Sequence, residues 1–268
     1  MKNAQVYYWA IVLAFSFGLY IHKYYLDSPP LENKNTHFEI PGIGQNLLRQ
    51  PLQLHTRDTI SMNSTRMMGK YPFTAYIYID DVPPELPEDD FIIPDGGWWD
   101  NEAAYFPTDG LQLKLDSNLI IKGAYSDNDK AHIPVFIVNE TNSVKYLLGT
   151  HDFLLAMMEA KDQNGVWRPI EMPGFFGCLN GVGFIKVHPK EFCVITFPLF
   201  RGKFETQLRV KVKNNHSILV SAPFPGSINE GQFKFGPNDR IKTYIEEDLS
   251  TRMHSWFWDS VPLEFSKH

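Results

Sequence analysis

The stretch Phe153-Leu154-Leu155-Ala156-Met157-Met158-Glu159-Ala160-Lys161-Asp162-Gln163-Asn164-Gly165-Val166-Trp167 decides how the chain folds. Its apolar run is too short for a typical helix and breaks at Asp162-Gln163-Asn164-Gly165 before Val166-Trp167 resumes. Asn-Gly is the favoured pair of a two-residue hairpin turn, so the stretch predicts two antiparallel strands.

The same pattern repeats in both directions. Upstream, Leu111, Leu113 and Leu115 alternate and lead into Leu119 to Ile121, followed by runs at His132 to Val138 and Tyr146 to Leu148. Downstream, Gly183 to Val187 and Glu191 to Phe200 predict one pair across Pro189-Lys190. Gln207 to Val212 and Ile218 to Ala222 predict another through Lys213-Asn214-Asn215-His216. Short runs with turn signals between them indicate an antiparallel sandwich. Seven or eight strands in about 115 residues is the size of an immunoglobulin-like sandwich, although the Cys-Trp-Cys hallmark of antibody domains is absent. The expected fold is therefore mainly β, with a sandwich over residues 110–236.

Four further segments surround it. Asn3 to Ile21 runs nineteen residues without a charge. Extended to Tyr25, the apolar core from Val6 is twenty residues, roughly 30 Å of helix, which matches a bilayer core. Tyr7, Tyr8 and Trp9 at one end and Tyr20, Tyr24 and Tyr25 at the other suit the two membrane surfaces. Gly18-Leu19-Tyr20-Ile21-His22-Lys23 offers a poor cleavage site, so residues 1–25 are expected to be a retained single-pass transmembrane anchor rather than a cleaved signal. With a cytoplasmic N-terminus, the body is expected to be extracytoplasmic: periplasmic, or luminal or extracellular. Residues 26–40, with Pro29-Pro30, read as a linker.

Residues 41–109 read as an irregular arm with one strand candidate, Phe73 to Ile79. From Asp80 to Asp109 there are ten acidic residues, five prolines and no Lys, Arg or His, which argues against regular structure. Residues 237–268 form a C-terminal helix and tail. Asn238 is the expected cap, Ile241, Tyr244, Ile245 and Leu249 the apolar stripe, and Trp256-Phe257-Trp258 the cluster that packs back on the body.

The search for chemistry excludes more than it identifies. A net charge of −6 argues against a nucleic-acid partner, whose binding needs a basic surface. Hydrolase, nucleotide and zinc-protease signatures are missing, Gly42-Ile43-Gly44 is only a fragment of a dinucleotide motif in a loop, and His151-Asp152 lacks a partner nucleophile. No catalytic residue, cofactor or metal is expected. Glu88, Asp89, Asp90 and Asp95 are hard oxygen ligands for calcium, but without the alternation or central glycine of a calcium loop they read as a solvated acidic face. Cys178 and Cys193 permit a bridge worth about 3 kcal/mol in the loop-entropy model, against two buried thiols. Asn63, Asn139 and Asn215 begin glycosylation triplets.

The expectation is a membrane-anchored protein that binds another protein through Asp89, Asp90, Asp95, Trp98, Trp99 and Asp100. Such exposed aromatics and carboxylates suit an interface. Two rivals use the same residues. One is a carbohydrate-binding or carbohydrate-processing domain, in which Trp98 and Trp99 stack on sugar and two nearby carboxylates do acid and base work. In the other, the acidic arm covers the basic site of a toxic enzyme as an immunity-type inhibitor.

Overall fold

The computed structural model describes residues 37–44, 51–62, 65–78, 86–94, 106–122, 130–150, 152–173, 181–215, 217–249, 251, 256–258 and 260–266. His37–His268 form one compact unit, whereas the anchor and most of the linker lie outside the described residues. Among the described residues no helix is long and apolar enough to cross a membrane.

In chain order the strands are β1 (Ile43–Gly44), β2 (Ser61–Met62), β3 (Arg66–Pro72), β4 (Ile77–Tyr78), β5 (Phe91–Ile92), β6 (Leu111–Lys114), β7 (Ile121–Lys122), β8 (Ala131–Asn139) and β9 (Lys145–Gly149). They continue as β10 (Ala156–Lys161), β11 (Trp167–Pro169), β12 (Glu171–Met172), β13 (Gly183–Val187), β14 (Glu191–Pro198), β15 (Phe204–Asn214), β16 (Ser217–Val220) and β17 (Phe224–Ile228). Two five-stranded antiparallel sheets dominate. The first has the order β3-β14-β8-β6, with β7 also on β8; the second has β11-β10-β15-β16, with β17 also on β15. A separate three-stranded sheet has the order β5-β13-β9, and β1-β4 and β12-β2 are short parallel pairs.

Alternation along the strands builds the layers. Ile133, Val135 and Ile137 of β8 and Cys193, Ile195 and Phe197 of β14 face the same core as Ala156, Met158 and Ala160 of β10 and Leu208, Val210 and Val212 of β15. The opposite faces are covered as well. Phe136, Val138, Phe192 and Val194 pack beneath Phe38, Phe73 and Ile77. Met157 packs beneath Phe235 and, from the C-terminal segment, Ile245, Phe257, Trp258 and Phe265. All nine residues of β8 are consequently buried.

Several sequence expectations change in detail. The β10-β11 hairpin forms, but Asp162 pairs with Val166 around Gln163-Asn164-Gly165, with Gly165 alone at positive φ (75°). That is the three-residue loop with glycine at its left-handed position, not a two-residue Asn-Gly turn. In β15-β16, Asn214 pairs with Ser217 and Asn215 has φ 52°, as a tight turn requires.

The expected pair of β13 and β14 does not form. The first joins β5 and β9, the second β3 and β8, and the corner between them is closed by Lys190 at φ 62° donating to the Asn139 carbonyl. The candidate strand at Phe73 to Ile79 is a turn at Phe73-Thr74 followed by the short β4, and the long strand is β3 just before it. Gly42-Ile43-Gly44 is not a loop, because Ile43 and Gly44 pair with Ile77 and Tyr78. The helix spans Arg240–Glu247, and its cap is Asp239, whose Oδ1 accepts from the Ile241 amide at 2.9 Å; Asn238 precedes it.

Phe38, counted above with the linker, belongs to the core. Its ring lies 5.0 Å from Phe192 and 5.3 Å from Phe73, and its amide donates to Glu140 Oε1 at 2.9 Å. Phe38→Ala is expected to lower unfolding free energy by about 3–5 kcal/mol, as much as Phe192→Ala, because both truncations leave a large buried cavity. Urea denaturation of the two variants checks this; a loss below about 1 kcal/mol at Phe38 contradicts the placement.

Candidate functional site

Asp90 of the acidic arm meets the sandwich in a charged cluster. Lys70 on β3 donates through Nζ to Asp90 Oδ2 at 2.6 Å and to Glu191 Oε2 on β14 at 2.8 Å. His188 Nε2 lies 3.0 Å from Asp90 Oδ1, and the His188 amide donates to Glu191 Oε2 at 2.8 Å. Asp90 ends a short 3-10 turn, Glu88–Asp90, and is only 8% exposed.

Burial opposes its charge, but the bonds from Lys70 and His188 prevail and hold the carboxyl below the usual range. Burial likewise disfavours the Lys70 ammonium, and its two carboxylate partners outweigh that and raise its pKa. Asp90 therefore pins the arm, while Glu88 and Asp89 stay exposed beside it.

The other arm candidates, Asp95, Trp98, Trp99 and Asp100, lie outside the described residues, as do His151 and Cys178. Cys193 is a buried free thiol, pushed up to about 12 by burial. Among the described residues no group of three or more His, Cys, Asp or Glu is arranged to hold a metal ion. Asn139 is fully buried, and its Nδ2 donates to the carbonyls of Ser143 (2.9 Å) and Val187 (2.7 Å), which removes it as a glycan acceptor.

A second cluster carried no sequence signal. On the outer face of the second large sheet, Glu159 accepts from Arg209 Nε at 2.5 Å and from the Ser260 hydroxyl. Lys211 Nζ donates to Ser260 Oγ at 2.7 Å and to the Trp258 carbonyl at 3.1 Å. A serine beside a lysine suggests a nucleophile with its base, yet the geometry points elsewhere. A general base needs a free lone pair and an accessible nucleophile. Here Lys211 is the donor, Glu159 lies 3.3 Å from its Nζ, and Ser260 is buried. The cluster latches the C-terminal tail to the sheet. Glu171 on β12 is also fully buried, and burial drives its carboxyl up to about 8 against the charge of Arg57 and the Met158 backbone.

A cleft of about 800 Å³ opens where the β10-β11 loop, the start of β15 and β17 meet Leu54 and Leu199-Phe200. Lys161, Gln163, Glu205, Thr206 and Gln207 supply its polar wall. Phe200 is buried, so no ring stands open there for sugar stacking among the lining residues. Sequence pattern alone had no means of finding the cleft, because it gathers residues from five segments.

No protein-family model, curated protein or solved structure matches this chain.

Two outcomes are expected at the clusters. Asp90→Asn should cost about 1–3 kcal/mol of stability at neutral pH. The contribution of a lowered carboxyl exists above its unfolded pKa and fades as pH falls through the folded one, so the cost should vanish in strong acid. Denaturation of wild type and variant from pH 7 to pH 2 checks both parts. Glu159→Gln should cost about 3–5 kcal/mol by leaving buried cations uncompensated. Hydrogen exchange should then show the first loss of protection at residues 256–265, and loss spread evenly over the sheets would contradict a latch.

Proposed function

We propose that the chain is a membrane-tethered, extracytoplasmic and non-enzymatic protein whose immunoglobulin-like sandwich binds another protein, as a subunit of an envelope assembly. The anchor in residues 1–25 and its aromatic ends support the tether. The observation that carries the binding reading is the open cleft of about 800 Å³, walled by amide, hydroxyl and charged side chains. An extended segment of a partner protein meets such a wall with its backbone donors and acceptors.

The pinned arm adds a second contact. Asp90 fixes the turn, so Glu88 and Asp89 are held out from a rigid base, and fixed charge steers association. Asp90 thereby passes from contact residue to support.

Photo-crosslinkers placed singly at Gln163, Gln207 and Asp89 in the full chain, in its native membrane, test this. One discrete protein adduct is expected from the cleft positions and none from the same crosslinker at Tyr244, which lies on the C-terminal helix. Asp89→Lys should slow association with the identified partner several-fold at low salt and much less at high salt. Equal adducts at Tyr244, or an association rate indifferent to both charge and salt, would contradict the reading.

A further inference from the structure

The layer that covers the first large sheet carries an open aromatic pair. Tyr76 and Tyr78 are 55% and 58% exposed, with ring centroids 4.9 Å apart, while Ile77 between them points into the core. They rest on the glycines of the segment 42–44. A Cβ on Gly42 would lie 2.6 Å from Tyr76 Cε2, and one on Gly44 would lie 2.9 Å from both Tyr76 Cε1 and Tyr78 Cδ1. Any other residue at these two positions would displace the rings. Ile40, two residues before Gly42, is also exposed.

Exposed rings on a fitted seat indicate a partner surface, and the chain itself says which one is near. Among the described residues the strip that leads to these glycines starts at His37, twelve residues after Tyr25. In any conformation twelve residues reach about 40 Å at most, so a bilayer that receives residues 1–25 stays within that reach of the strip. Tyrosine, with its apolar ring and polar tip, is suited to the headgroup level of a bilayer. The two rings are tilted 56° to each other, which gives no level floor for a sugar ring but is no obstacle to a lipid surface.

We propose that Tyr76 and Tyr78 form a membrane-facing platform that beds into the headgroup region of the bilayer holding the N-terminal run. The proposal rests on the tether proposed above. It fixes which side of the sandwich turns towards the membrane, and so leaves the opposite layer, with its C-terminal helix, facing away.

The full chain, labelled with 3-fluorotyrosine and reconstituted in phosphatidylcholine vesicles, tests it by fluorine resonance. Tyr76→Phe and Tyr78→Phe each delete one signal and so assign the pair; Tyr244→Phe assigns a control that is 50% exposed on the other outer layer. Adding a lipid with a gadolinium-chelate headgroup should broaden the Tyr76 and Tyr78 signals beyond detection and leave Tyr244 at near full intensity. An alkaline carbonate wash of the same vesicles reads the tether separately. Retention through the wash with both signals sharp overturns the platform and spares the tether. Release by the wash overturns the tether and the platform with it. Equal broadening of Tyr244 also overturns the platform.

Discussion

Every residue from Ala131 to Asn139 is buried, and that constraint shapes the rest of the molecule. An antiparallel strand in a two-layer sandwich normally turns one face to water. Here β8 has apolar side chains on both faces, so a second cover is obligatory. Phe38, Phe73 and Ile77 supply it, which makes segments near the start of the body part of its core. The second large sheet is treated alike by the C-terminal segment. Both ends of the body thus fold back over the strands between them.

Charge is placed where flanking segments meet the two large sheets. Lys70, Asp90, His188 and Glu191 tie the arm to the first sheet, and Glu159, Arg209, Lys211 and Ser260 tie the tail to the second. Buried ion pairs give little net stability over well-packed apolar groups, but a wrongly seated segment would leave their charges uncompensated. The two clusters therefore act mainly on position, selecting one seating of the turn at Glu88–Asp90 and one of the tail.

The β-rich class and most long strands were legible in the sequence, because alternation and turn residues are local signals. Asn164-Gly165 and Asn215 marked real turns, although the first proved one residue longer than the pair suggested. Partner choice was not legible. Nothing within Gly183 to Pro198 shows that its two strands part into different sheets, since that depends on β3, β5, β8 and β9 from elsewhere. β3 was obscured by Gly69 and Pro72, and β17 by Pro225-Gly226, residues that sheets accept at edges and bulges. Of the candidate site, acidity was plain, but only the fold distinguishes Asp90, consumed by Lys70 and His188, from its exposed neighbour Asp89.

Glu171 gives the folded chain an unusual relation to its medium. An unfolded glutamic acid releases its proton at about 4.3. The folded chain keeps that proton until about 8. Across that window folding takes up a proton, and the stabilisation it brings is complete below the lower value and gone above the upper one. Asp90 acts with the opposite sign, but only in stronger acid. Over the mildly acidic to neutral range the proton is in effect a ligand of the native state, bound at a carboxyl wholly enclosed by the fold.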